Sequence, residues 1–121
     1  MDRLQIITDT IANFRKDRPV MDRSNRDDAL VFQYLQMEVG ELGEVLGDRE
    51  KMMTEAPDIL WFLITLCQNN NIDLFEAIME KAARNICKYP ASELQDGDWD
   101  EKRKQLRKDW TPMREAEFYS I

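Results

Sequence analysis

Four acidic side chains fall in two pairs, Glu38 and Glu41 in the run Gln36-Met37-Glu38-Val39-Gly40-Glu41-Leu42, and Glu55 and Asp58 in Thr54-Glu55-Ala56-Pro57-Asp58-Ile59. Residues three apart share a helix face, so each pair can aim both carboxylates at one point. Two such pairs facing each other make a cage of hard oxygen ligands suited to Mg²⁺, with phosphate or water oxygens completing an octahedron. The chemistry this suggests is metal-assisted work on phosphates.

With 24 acidic residues in 121, a Glu-x-x-Glu spacing also arises by chance on any solvated helix face. These two pairs differ in their neighbours. Glu38 sits among Leu35, Met37, Val39 and Leu42, and Asp58 opens the most hydrophobic run of the chain. Carboxylates facing a core need a partner, and no lysine or arginine lies between residues 27 and 48 to supply one. A cation is the economical partner. Glu44 extends the register as a further ligand or a surface residue. Further along, Lys81, Asn85 and Lys88 fall on one helical stripe beside Arg84. Facing the acids, that stripe would neutralise the far side of a polyphosphate; otherwise it is an ordinary basic helix end complementing the dipole.

These side chains need helices to place them. Leu4, Ile7, Ile11 and Phe14 recur at helical spacing and predict a first helix over about residues 3–17. Residues 19–24 read as a loop, and a second helix is expected over about residues 26–46, stopping at Gly47-Asp48. Gly40 and Gly43 within it imply the close approach of a neighbouring helix, since each costs about 1 kcal/mol relative to alanine in an exposed helix interior. Thr54 is the expected cap of the third helix, with Pro57 in its first turn and Glu55 and Asp58 at its positive dipole end. That helix, apolar around most of its circumference through Cys67, reads as the central one. A fourth carries Phe75, Ile78, Met79, Ala82 and Ile86 and ends near Tyr89-Pro90. Beyond Pro90 the composition changes, and residues 91–121, with Trp99, Trp110, Phe118 and Tyr119, are expected to form one more exposed helix and a tail that packs on another subunit. No strand pattern and no repeat is present, so the fold class is all-α, with residues 1–90 as the helical domain and 91–121 as an extension.

Composition narrows the function. The net charge of −7 opposes general binding to nucleic acid or to an anionic membrane, though a cation can still bridge one phosphate-bearing small molecule. The longest apolar run, Ile59 to Cys67, is too short to span a bilayer. Two cysteines, Cys67 and Cys87, without a hydrophobic leader read as free thiols of a cytoplasmic protein. Histidine is absent, which removes Ser-His and Cys-His catalysis, His-containing zinc sites and the Glu-x-x-His di-iron bundles. A chain this small and 34% charged buries a modest core, so association with copies of itself is expected.

The order Glu38-x-x-Glu41, Glu55-x-x-Asp58, then Lys81-x-x-x-Asn85-x-x-Lys88-Tyr89-Pro90 resembles the MazG-like, all-α nucleoside triphosphate pyrophosphohydrolases. The opening Ile11-Ala12-Asn13-Phe14-Arg15 with Arg18 is similar to the start of these proteins, and the resemblance spans roughly residues 4–90. It implies a four-helix core assembled as a homodimer or homotetramer, with Mg²⁺, or Mn²⁺ in its place, bound by the four acids. The implied reaction is hydrolysis of a nucleoside triphosphate between the α and β phosphates, giving a monophosphate and pyrophosphate. Glu41, Glu55 and Asp58 are then the direct metal ligands. Glu38 ligates the metal or orients the attacking water and takes its proton, and Lys81, Arg84, Asn85 and Lys88 contact phosphates or sugar.

Three features depart from the family pattern. Met37 stands where many relatives carry the first of two adjacent glutamates, Pro57 interrupts the Glu-x-x-Asp motif, and residues 19–25 lack the tryptophan and histidine of the deoxycytidine triphosphate branch. Base preference is therefore open. Two other readings stand beside the leading one. The first is a phosphoribosyl-ATP pyrophosphohydrolase, which shares the fold and ranks lower because of this chain's unusual tail and the lack of that family's other signatures. The other is a catalytically silent helical oligomer that binds a partner protein through residues 99–110, in which the acids either fail to converge or converge on a lysine or arginine.

Overall fold

The computed structural model describes residues 2–110, and within them the chain is all helical. The elements are α1 (Arg3–Lys16), α2 (Pro19–Asn25), α3 (Asp28–Glu44), α4 (Arg49–Asn69), α5 (Leu74–Lys88), a 3₁₀ turn (Ala91–Glu93) and α6 (Trp99–Asp109). They fall into two compact units, Met1–Leu74 and Phe75–Ile121. No described helix is long and apolar enough to cross a membrane.

In the first unit α3 and α4 form an antiparallel pair joined by a turn in which Gly47 takes φ +89°, a left-handed conformation that glycine adopts without steric cost. The pairing can be followed residue by residue. Asp28 accepts hydrogen bonds from Asn69 and Asn70, both at 3.0 Å, and the rings of Tyr34 and Phe62 lie 5.6 Å apart, centroid to centroid. Ile11, Val31, Ile64 and Cys67 form the buried apolar centre, and Thr65, fully buried, satisfies its hydroxyl on the Trp61 carbonyl at 2.9 Å. Phe14 meets Trp61 edge to face at 5.1 Å and locks α1 onto α4.

Several local expectations are corrected. Residues 19–24 form the helix α2, because Pro19 occupies its first turn, where the missing N–H is no loss. A part-buried ion pair from Arg15 Nε to Asp22, at 2.8 Å, holds it down. Helix α4 begins at Arg49, five residues before Thr54. The Asp48 side chain caps it by accepting from the Lys51 amide at 3.2 Å, and Thr54 sits in the second turn with its hydroxyl donated to the Glu50 carbonyl at 3.3 Å. Pro57 thus lies inside the helix and leaves the Met53 carbonyl without its helical donor. Gly40 and Gly43 mark no close helix approach: a Cβ at either position would meet nothing within 4 Å among the described residues.

In the second unit α5 leads into the 3₁₀ turn, and the Asp98 side chain caps α6 by accepting from the Glu101 amide at 3.0 Å. Tyr89 packs edge-on against Trp99 at 5.5 Å, and Lys102 donates to the Glu93 carbonyl at 2.8 Å. The expected helix beyond Pro90 is α6; the expected tail with Phe118 and Tyr119 lies outside the described residues.

Candidate metal and phosphate site

Glu38 and Glu41 stand on α3, and Glu55 and Asp58 on α4. The antiparallel pairing brings the two sets together. Glu38, Glu55 and Asp58 each offer a carboxylate oxygen, and these three oxygens all lie within 4.8 Å of one another. Glu41 adjoins two of the three, with its carboxyl in hydrogen-bonding reach of both Glu38 and Glu55. Glu44 is exposed and close enough to Glu55 to act on it electrostatically.

The electrostatics of this cluster are unfavourable without a cation. Burial, and after it the neighbouring Glu41, Asp58 and Glu55, push the Glu38 carboxyl up to about 7, and the same kinds of cause raise Glu55. Glu38 Oε2 is buried with no hydrogen-bond partner. Among the described residues none of the four acids is in an ion pair with lysine or arginine. Three converging carboxylates, a fourth beside them and an orphaned buried oxygen fit a hard divalent cation. Glu55 and Asp58 are the seventh and tenth residues of α4, so the helix dipole contributes little to them. Convergence across α3 and α4 makes the site.

On α5, Lys81 is exposed while Arg84, Asn85 and Lys88 are half-buried, and Arg84 lies 4.0 Å from Glu80 one turn earlier. Tyr34 and Phe62 stand one turn from the acids on the same helix faces, four positions before Glu38 and four after Asp58.

The antiparallel pair of helices in this all-α chain thus gathers four carboxylates with no lysine or arginine paired to them among the described residues. Residues 6–85, well over half of the chain, match the family described as phosphoribosyl-ATP pyrophosphohydrolase. The chain belongs to that family and, through it, to the MazG-like all-α superfamily of nucleotide pyrophosphohydrolases, hydrolases that act on acid anhydrides. No curated protein and no solved structure matches it significantly. The match reverses the order of the two enzyme readings taken from the motifs, since it names phosphoribosyl-ATP, which the sequence had placed second.

Proposed function

We propose that this protein is a divalent-metal-dependent pyrophosphohydrolase that cleaves its nucleotide between the α and β phosphates, with phosphoribosyl-ATP as the favoured substrate. The observation that carries the reading is the convergence of Glu38, Glu55 and Asp58 oxygens within 4.8 Å, together with the family match. Glu41, Glu55 and Asp58 would hold Mg²⁺, or Mn²⁺ in its place. Bound there, the ion supplies charge neutralisation at the phosphate oxygens and makes water more acidic. Glu38, with its carboxyl raised to about 7, suits a general base that orients the attacking water and accepts its proton near neutral pH. Lys81, Asn85 and Lys88, with Arg84, are proposed to bind the phosphates or sugar, as their common stripe on α5 suggests.

A second substrate reading, an ordinary (deoxy)nucleoside triphosphate, draws on the Lys88-Tyr89-Pro90 motif that continues past the matched segment. Both substrates offer the same anhydride, so one experiment covers both. The folded protein with Mg²⁺ is incubated with phosphoribosyl-ATP and with a panel of ribo- and deoxynucleoside triphosphates, and pyrophosphate is measured. Release from phosphoribosyl-ATP at the highest kcat/KM is expected; release from none of them contradicts the proposal.

Self-association and a cytoplasmic setting belong to the same proposal. Phe32, Val39 and Leu46, at seven-residue spacing, are 51%, 52% and 68% exposed, an apolar stripe suited to a second copy. Cys67 and Cys87 are both free thiols.

A further inference from the structure

Helix α4 carries its proline where a helix tolerates one least. Pro57 is the ninth residue of Arg49–Asn69, well past the first turn, and it stands between Glu55 and Asp58. It has no N–H to give the Met53 carbonyl, and its ring presses on that same carbonyl. Such a turn opens on the side of the ring, and the helix axis bends away from it. The helix still runs unbroken from Arg49 to Asn69.

The direction of the bend follows from the helix period. At about 3.6 residues per turn, Asp58 lies about 100° and Glu55 about 160° from Pro57 around the axis, so both acids stand away from the ring. Met53 and Leu60, on the ring's side, are exposed, as is Pro57 itself. The opposite side faces α3: there the oxygens of Glu55 and Asp58 lie within 4.8 Å of that of Glu38, and Phe62 meets Tyr34 at 5.6 Å. The bend is therefore convex toward solvent and concave toward α3 at the acids. On a concave side successive turns close up, which draws Glu55 and Asp58 together and brings both toward Glu38.

In the metal-free chain that convergence is unfavourable. The carboxylates repel one another, and Glu38 Oε2 is buried with no hydrogen-bond partner. A proline in a helix interior is costly as well. Two unfavourable features of the same turn become useful together when a cation sits among the acids. We infer that Pro57 is a positioning residue for the metal, bending α4 so that Glu55 and Asp58 close on the ion beside Glu38. It touches neither metal nor substrate. The inference rests on the reading above that these acids hold a divalent cation, and it gives a role to the proline that interrupts the Glu-x-x-Asp motif of this chain.

Pro57→Ala returns a donor to the Met53 carbonyl and separates stability from metal binding. The full-length wild type and this variant are compared in metal-free thermal melts, in calorimetric titrations with MgCl₂ and by EPR of bound Mn²⁺. Metal-free Pro57→Ala should melt several degrees above the wild type, because the helix regains a hydrogen bond. It should nevertheless bind Mg²⁺ about tenfold more weakly, because the acids relax apart. Its Mn²⁺ spectrum should change with the ligand geometry. A proline that only stiffens or only disturbs the helix would shift stability without an opposite change in affinity and would leave the spectrum alone. A Mg²⁺ affinity within about twofold of the wild type's, an unchanged Mn²⁺ spectrum, or a metal-free variant that melts below the wild type overturns the inference. If the wild type itself binds neither ion, the metal reading fails and this inference with it; if the wild type binds and Pro57→Ala binds equally well, only this inference fails.

Discussion

Glu38 on α3 and Asp58 on α4 come from different helices, yet their carboxylate oxygens approach within 4.8 Å, with that of Glu55 as the third corner. Such an arrangement is repulsive in the metal-free chain and becomes favourable when a divalent cation joins it. Metal binding should therefore stabilise the fold. At a Mg²⁺ concentration near a hundred times its Kd, the wild type should gain about 2.7 kcal/mol by linkage. Asp58→Asn should lose most of that gain with unchanged helical content, as read by thermal melts with and without Mg²⁺. An unaltered response to Mg²⁺ in the variant would count against the site.

The raised Glu38 carboxyl fixes a pH dependence for the metal-free protein. Folding raises this group from 4.5 to about 7, so the folded state holds the proton more tightly than the unfolded one. The stabilisation is fully present below about 4.5 and is lost as pH rises through about 7. Denaturant titrations across that window should show stability falling with pH. Glu38→Gln, which carries no charge, should flatten the fall and be more stable than wild type at pH 8, by on the order of 1–3 kcal/mol. The same variant should be inactive as an enzyme.

Asp22 is shared by two arginines in very different surroundings. Arg15 reaches it at 2.8 Å from a side chain 8% exposed, and Arg26 at 2.9 Å from one 72% exposed. Loss of Arg15 leaves Asp22 with the exposed Arg26 alone and the amide oxygens of Gln68 and Asn69 without their donor, so Arg15→Ala should cost about 2–3 kcal/mol. Arg26→Ala should cost under about 1 kcal/mol, because water screens the exposed pair. Urea denaturation of the two variants makes the comparison, and equal losses would refute the account of how α2 is held.

The exposed apolar residues Phe32 and Val39 on α3 give a prediction for assembly. Phe32→Glu places a charge on a side chain 51% exposed, away from the chain's own core, so folding should survive. Sedimentation equilibrium should show a multimer for the wild type and a shift toward monomer for the variant.

The all-α fold and the converging acids were legible in the sequence because both follow from the 3.6-residue period: Glu38, Asp58 and their apolar neighbours share helix faces whatever the helix ends do. Boundaries were less legible. Asp48 and Thr54 are equally good caps by type, and Asp48 captured the helix although Pro57 then fell inside it. Pro19 reads as a breaker yet starts α2, because the Arg15–Asp22 pair that stabilises so short a helix spans two elements. Tyr34 and Phe62 read as core because periodicity reports a shared face and not whether a cavity lies against it. The substrate was not legible in the acid motifs, which act on the anhydride common to both candidates, and the tail that places phosphoribosyl-ATP second in the sequence lies beyond the matched residues 6–85.

The most direct test of the central claim is ³¹P NMR of phosphoribosyl-ATP incubated with the folded wild-type protein and Mg²⁺. The account predicts pyrophosphate and the corresponding monophosphate in equal amounts, with neither formed by Glu38→Gln. Orthophosphate as the released product, or no turnover of phosphoribosyl-ATP or any nucleoside triphosphate, would contradict it.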